Sequence, residues 1–275
     1  MKETAFSTKI LEWYAQNKRD LPWRKTTDPY KILVSELMLQ QTQVDRVIPK
    51  YLAFLEKFPT AQALSKAPTS EVLKLWSGLG YNRRAINLQK AAQVIAANGW
   101  PADLDDLPGV GPYTAAAVTA FAFNKEAPVI DINIRRIYAR YLHAGKNVEV
   151  DVIKQTPTGK ACDWNNALMD FGSSICTANS PNCKECPLSK SCAAFKVGNF
   201  EYVKPKPQSK FEGSKRQVRG AILRALHAGP LSPVQLKAGL GNEKLNKKHV
   251  DALNEILAEM EEEGLVKTGK QIRLP

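Results

Sequence analysis

Two carboxylates of this chain sit where a carboxylate is costly. Glu36 lies in VSELMLQQT (34–42), beside Ile32, Leu33, Val34, Leu37, Met38 and Leu39. On a helix of 3.6 residues per turn those apolar residues point almost all the way round, the pattern of a buried helix. A carboxylate there is either misplaced or kept for a purpose. Burial raises a carboxyl pKa, so a buried Glu36 could hold a proton near neutral pH and donate it. Asp131 lies in APVIDINIRR (127–136), flanked by Val129, Ile130, Ile132 and Ile134, with Asn133 two residues on. It suits the N-cap of a helix through Ile137 and Tyr138, and the helix N-terminus would help keep it ionised.

Four cysteines form a third constellation. Cys176, Cys183, Cys186 and Cys192 stand in CTANSPNCKECPLSKSC with the spacing C-x6-C-x2-C-x5-C. Four thiolates on one short loop suit a structural zinc ion or a [4Fe–4S] cluster. Zinc sites usually show two close C-x2-C pairs, and only Cys183 and Cys186 are paired that way. The spacing therefore leans towards iron–sulfur and leaves zinc open. Cys162 stands apart and is expected to be a buried free thiol. A fourth feature is LPGVGPYT (107–114). Glycines at a helix N-terminus can aim backbone amides at an anionic oxygen, although a plain turn would use the same residues.

The elements that must position these groups read as helix after helix up to about residue 200. The pattern predicts helices over 7–16, 31–49, 50–57, 70–76, 83–98, 115–121, 133–144 and 164–175, with little strand-like alternation. The stretch 200–215, FEYVKPKPQSKFEGSK, has two Lys-Pro steps and reads as an exposed basic linker. Residues 216–275 form a separate unit. Helices are expected over 218–226, 233–238 and 248–262, then two short β segments around Thr268, Gly269 and Lys270. Three helices and a small hairpin resemble a winged-helix domain; a helical protein–protein module is the other reading.

The chain has 275 residues, a net charge of +12 and five cysteines. That length suits two or three domains. The basic balance favours a nucleic-acid partner, though charge can also serve solubility alone. No apolar run of roughly 18 residues suggests a membrane span. The beginning, MKETAFSTKILEWYAQ, is amphipathic with an early acidic residue, unlike a signal peptide. The expectation is a cytoplasmic, nucleoid-associated protein, or a nuclear one in a nucleated cell. Cysteines in such a chain point to metal or cluster ligation rather than disulfides.

Taken in order, LPWR (21–24), SELMLQQTQV (35–44), GLGY (78–81), LPGVGPYT, VIDINIRR and the four-cysteine loop resemble the helix-hairpin-helix DNA glycosylase superfamily, which includes endonuclease III. Within it the likeness is nearest to the mismatch-specific adenine DNA glycosylases and covers about residues 5–195. The resemblance implies an all-α fold of two lobes with DNA in the cleft between them. One lobe is a six-helix barrel, 23–129. The other joins 1–22 to 130–199 and carries a [4Fe–4S] cluster on Cys176, Cys183, Cys186 and Cys192, with a role in structure and DNA binding. The winged-helix-like unit would follow the linker.

The resemblance also implies a mechanism. Cleaving an N-glycosidic bond passes through an oxocarbenium-like transition state and asks for two carboxyls in opposite states. Glu36 would protonate the departing adenine at N7, and Asp131 would stay ionised beside the sugar. Asn133 resembles the asparagine that bonds near this aspartate. Tyr113 resembles an active-site tyrosine, and Arg24 an arginine lining the base pocket. Strand-cutting relatives carry a lysine where Tyr113 stands, so a monofunctional glycosylase is expected. The base must be flipped out, with Gln41 and Tyr81 wedged into the stack and Gly109, Val110 and Gly111 holding a phosphate.

Three departures qualify the likeness. Ile132 stands where adenine-type members usually have glycine, and Asn82 replaces a common tyrosine. The usual β-rich domain that inspects oxidised guanine is not recognisable, so the preference for the opposite base does not carry over. The expected partner is duplex DNA with a mismatch or damaged base, bound by a monomer, with further DNA or protein contacts from the C-terminal unit. Two other functions compete. One is a thymine or uracil mismatch glycosylase of the same fold, against which the string 38–42 after Glu36 speaks. The other is a non-catalytic iron–sulfur DNA-binding regulator, against which Glu36, Tyr113, Asp131 and Asn133 together speak.

Overall fold

The computed structural model describes residues 4–145, 156–202, 208–241 and 243–275. Residues 146–155 of the expected cluster lobe and 203–207 of the expected linker lie outside these. The helices in chain order are α1 Ala5–Asn17, α2 Pro29–Leu39, α3 Val44–Lys57, α4 Ala61–Lys66, α5 Thr69–Trp76, α6 Arg83–Asn98 and α7 Pro112–Phe123. They continue as α8 Ile132–His143, α9 Ala161–Ser174, α10 Ala193–Val197, α11 Lys215–Ala225, α12 Pro233–Gly241, α13 Lys247–Asp251 and α14 Leu253–Glu262. No described helix is long and apolar enough to cross a membrane.

The chain gathers into two compact units. One is Met1–Leu33 with Gly111–Lys206; the other is Val34–Val110 with Pro207–Pro275. In the first, α9 packs against α1, α7 and α8. Its core interleaves Phe6, Ile10 and Tyr14 of α1, Ile134, Ile137 and Tyr138 of α8, and Trp164, Leu168 and Phe171 of α9. Phe6 meets Tyr138 and Trp164 edge-on at 5.4 and 5.7 Å, a favoured aromatic geometry. α1 starts cleanly because Thr4 and Ser7 form a reciprocal capping box.

In the second unit α6 packs on α4 and α5. Buried Gln89 of α6 is satisfied there by the Thr69 hydroxyl at 2.9 Å and the Ala67 carbonyl at 2.7 Å. The Phe54 ring of α3 meets Trp76 of α5 edge-on. The C-terminal residues of this unit bury Val218, Ala221 and Ile222 of α11, Leu236 and Leu240 of α12, and Ile256, Leu257 and Met260 of α14.

Three details depart from the sequence pattern. The expected helix 31–49 breaks at 40–43 instead, and Pro49 lies inside α3. The break lies where the buried Arg84 receives the carbonyls at the end of α2, and the chain stays helical through Pro49. The expected helix 248–262 is divided at Ala252 into α13 and α14. The expected hairpin is reduced among the described residues to single antiparallel bridges, Lys267 to Arg273 and Leu231 to Ile272. Leu231 comes from the loop before α12, so the chain end is anchored from two sides.

Candidate active site and nucleic-acid interface

Glu36 lies on α2, whose start follows from its sequence. Pro29 occupies the first turn, where a missing N–H costs nothing. The Asp28 carboxylate accepts from the amides of Tyr30 at 2.9 Å and Lys31 at 3.4 Å. Beyond it Val34, Ser35, Leu37 and Met38 are fully enclosed, and Glu36 itself is only 7 % exposed. The glutamate is thus a buried carboxyl on an apolar helix, as its surroundings in the sequence suggest.

The end of α2 is held by Arg84, which sequence reasoning missed. Its guanidinium is buried and donates to the carbonyls of Leu37 at 2.7 Å, Met38 at 3.0 Å and Gln40 at 2.5 Å. The other arm donates to the Thr42 hydroxyl at 3.1 Å, Leu79 O at 3.1 Å and Gly80 O at 3.0 Å. One side chain therefore satisfies the orphan carbonyls of a helix end and ties that end to the loop before α6. Burial lowers the Arg84 pKa to about 10. The one available signal was a lone arginine on the buried face of an amphipathic helix.

The two loops clamped by Arg84 carry Gln41 and Tyr81. Both residues have left-handed backbone, with φ of 55° and 46°, and both are exposed. Non-glycine residues in that region are strained and cluster at functional sites. The structure brings these two expected wedge residues together: the Gln208 amide donates to the side chains of both.

In the hairpin, Gly109 has φ of 79°, and a Cβ there would lie 2.5 Å from Asn87 Cβ. Only glycine fits. The Val110 amide closes a turn onto Leu107 O at 3.0 Å, and its side chain is buried. Gly111 is the N-cap of α7 and has open space where a Cβ would stand. Tyr113 follows in the first turn of α7, 37 % exposed.

Asp131 is the N-cap of α8. One carboxylate oxygen accepts from the Ile134 amide at 2.6 Å and the other from the Asn133 side chain at 2.9 Å. Ile132 stands between Asp131 and Asn133, and the bond between their side chains is present. Burial pushes the Asp131 carboxyl above its ordinary range, and the bonds from Ile134 and Asn133 oppose that only in part. The helix N-terminus thus helps its ionisation less than enclosure hinders it. Glu36 belongs to the second unit; Asp131, Asn133 and Tyr113 belong to the first.

Two arginines of α8 tie this helix to the cysteine loop. Arg136 donates to Asn133 Oδ1 at 2.8 Å, Gly172 O at 2.6 Å and Cys176 O at 2.8 Å. Arg140 donates to Thr177 O at 2.6 Å, Ala178 O at 2.9 Å and Cys176 Sγ at 3.6 Å. The Tyr202 ring lies 5.3 Å from both guanidinium groups, so the start of the linker is held rather than loose. Gly172 must lack a side chain, since a Cβ would meet Asn133 Cβ at 2.7 Å. Cys176, Cys183, Cys186 and Cys192 are all free and half-buried. Burial pushes the thiols of Cys176, Cys183 and Cys186 up, the last to about 11, and the neighbouring sulfurs push the same way. Among the described residues no three potential ligands are closed around the position of a single metal ion. Cys162 is free but half-buried rather than buried.

Arg24, expected in a base pocket, is engaged by Asp170 of α9. Its two terminal nitrogens reach the carboxylate at 2.6 and 2.8 Å, and Arg19 Nε joins at 2.5 Å. Asp170 is 1 % exposed. Burial alone would raise its pKa, but Arg24 and then Arg19 outweigh it and hold the carboxyl below its ordinary value.

Comparison with known proteins adds a relationship. Residues 34–156 match the family model described as HhH-GPD superfamily base excision DNA repair protein. The adenine DNA glycosylase of Mycolicibacterium smegmatis is 40 % identical over 246 residues, 82 % of this chain and 83 % of the relative. The human adenine DNA glycosylase is 37 % identical over 215 residues, 70 % of this chain but 39 % of its own length. Among solved structures, a thermostable thymine-DNA glycosylase superposes with a TM-score of 0.65 at 35 % identity, covering 70 % of this chain and 95 % of that one. A trapped endonuclease III–DNA covalent intermediate gives a TM-score of 0.59 at 23 % identity, covering 70 % and 94 %, a likeness of fold.

Proposed function

Because this chain belongs to the HhH-GPD superfamily of base excision DNA repair proteins, we propose that it is a monofunctional DNA glycosylase that hydrolyses the N-glycosidic bond of a flipped-out adenine mispaired with guanine or oxidised guanine. The observation that carries this reading is Glu36, a carboxyl 7 % exposed on an apolar helix. Such a group can keep its proton until the departing base takes it. Asp131, whose oxygens accept from the Ile134 amide and the Asn133 side chain against the burial that raises its pKa, is read as the group charged beside the sugar as positive charge develops there. Asn133 orients that carboxylate, and water completes the hydrolysis at the anomeric carbon. Tyr113 offers no amine for a Schiff base, so the strand stays intact.

Arg24 supports the reading differently from a pocket residue: its bond to Asp170 ties the segment before α2 to α9. Gln41 and Tyr81 are read as the residues that enter the duplex. The turn of Gly109, Val110 and Gly111 with the N-terminus of α7 is read as the phosphate site. The partner is double-stranded DNA. Cys176, Cys183, Cys186 and Cys192 suit a [4Fe–4S] cluster. Cysteine is the donor such clusters take, and Arg140 already donates to a sulfur of this set, as a donor to a thiolate would. The cluster would supply a covalent brace for 176–192, while Arg136 and Arg140 join that loop to the helix capped by Asp131.

Likeness to the thermostable thymine-DNA glycosylase favours a second reading, release of thymine or uracil opposite guanine. Duplexes carrying A, T or U opposite guanine or oxidised guanine, incubated with the protein and then treated with alkali, separate the two. Product from adenine duplexes supports the first. Product from thymine or uracil duplexes alone supports the second, and product from none would leave a DNA-binding regulator. Glu36→Gln and Asp131→Asn should abolish cleavage while DNA binding persists.

A further inference from the structure

The tip formed by Gln41 and Tyr81 is shared with the C-terminal part of their unit. Gln208 bridges the two side chains, donating to the Tyr81 hydroxyl at 2.6 Å and to the Gln41 side-chain oxygen. Arg216, on α11, donates to the same hydroxyl at 2.7 Å and lies over the Tyr81 ring, 5.4 Å from its centroid. Its other terminal nitrogen reaches Ser209 O at 2.6 Å and Ser209 Oγ at 3.3 Å.

The charge of Arg216 sets it apart on α11. Lys215 is paired with Glu259 at 2.5 Å, Arg219 with Glu263 at 2.5 Å and Arg224 with Glu243 at 2.9 Å. Among the described residues Arg216 has no carboxylate within 4.0 Å; neutral oxygens and a ring face are its partners. A half-buried guanidinium with no carboxylate partner among the described residues, beside two strained loop tips, is matched to an anion that arrives from outside.

We propose that Arg216 and Gln208 complete the DNA-facing tip. Arg216 contacts a phosphodiester of the duplex next to the released base, and Gln208 is a positioning residue that holds Gln41 and Tyr81 at a set spacing. The proposal rests on the reading of Gln41 and Tyr81 as the residues that enter the duplex. The five N–H donors of a guanidinium let it keep Tyr81 while meeting a phosphate. A single amide that spans two loops orders both tips before DNA arrives, so less freedom is lost on binding.

The test uses the full chain, a fully paired duplex, and a duplex with adenine opposite oxidised guanine. Affinity is followed by fluorescence anisotropy across a salt series. Removing one phosphate contact in Arg216→Ala should flatten the slope of log K against log salt by about 0.9, equally on both duplexes, and weaken binding. Arg216→Lys, which keeps the charge, should retain the wild-type slope. Gln208→Ala should leave the slope alone and slow single-turnover excision at saturating enzyme. An unchanged slope in Arg216→Ala overturns the phosphate contact, and an unchanged single-turnover rate in Gln208→Ala overturns the positioning role. Tighter binding by either variant would make the contact a cover over the tip and sink the proposal. If the wild type releases no adenine, the proposed activity fails, yet the salt slope on paired DNA still decides Arg216.

Discussion

Arg84→Lys separates what a fork can do from what a point charge can do. The guanidinium serves two sets of acceptors with two arms: Leu37, Met38 and Gln40 carbonyls on one side, Thr42 Oγ1, Leu79 O and Gly80 O on the other. An ammonium can hold one set. If it keeps the end of α2, it abandons Leu79 O and Gly80 O. Each abandoned buried acceptor costs about 1–3 kcal/mol. These two have second donors, Thr42 Oγ1 at 3.3 Å and Trp76 Nε1 at 3.3 Å, so the loss falls at the low end. About 2 kcal/mol in total is expected for Arg84→Lys. Arg84→Met abandons the Leu37 and Met38 carbonyls as well and should cost about 4 kcal/mol. Because the chain has two compact units, a single melting point would blur the effect. Amide hydrogen exchange resolves it: protection within 40–42 and 79–85 should fall about 30-fold in Arg84→Lys. The α8–α9 core of the other unit should be unchanged. Wild-type protection in both loops of Arg84→Lys would refute the idea that one fork holds the two tips together.

Three other outcomes follow from the same physical reasoning. Asp170→Asn leaves Arg24 facing a neutral partner and should destabilise the first unit by about 3 kcal/mol, the lower end for a broken buried pair because Arg19 is 40 % exposed. The folded Asp170 pKa is depressed, so its stabilisation is complete above the ordinary aspartate range of about 4 and is lost as pH falls through the lower folded value. Acid unfolding should therefore be flatter in Asp170→Asn than in the wild type below about pH 4. Asn133→Ala removes a donor to the Asp131 carboxylate, which favours the protonated form; the acidic limb of the single-turnover rate, already expected above the usual aspartate range, should move to higher pH. An unmoved limb would show that Asp131 is not the group titrating there. Protein purified without oxygen should absorb near about 400 nm and lose that band and its iron in Cys183→Ser; zinc in place of iron would remove the cluster.

Much of the local setting of the candidate residues was legible in the residue order because it depends on short-range patterns. An apolar run around Glu36 marks burial whatever it packs against. Asp131 two residues before Asn133, at the head of an amphipathic stretch, marks an N-cap, and the α8 cap has that form. Four cysteines within one loop mark a candidate ligand set by composition alone, and among the described residues no three potential ligands are closed around a metal position. Three features were not legible. The apolar pattern runs on as one helix over 31–49, whereas the chain breaks at 40–43, where the acceptors of a buried arginine 44 residues away from Gln40 are gathered. Arg24 gave no sign of its partner Asp170, which lies 146 residues on. Nothing in the residue order near Arg136 and Arg140 marks the cysteine loop, some 40 residues on, that they grip.

The sequence by itself determined the helical class, the two carboxyls, the glycine turn at Gly109 and the cysteine set, since each is a matter of short-range stereochemistry or composition. Tertiary structure alone decided which arginine satisfies which carbonyl, where α2 ends, and that residues 208–216 meet the tips at Gln41 and Tyr81. Those outcomes depend on buried polar groups finding partners far along the chain. A guanidinium with five donors can be satisfied in many ways, and only the packed fold selects one.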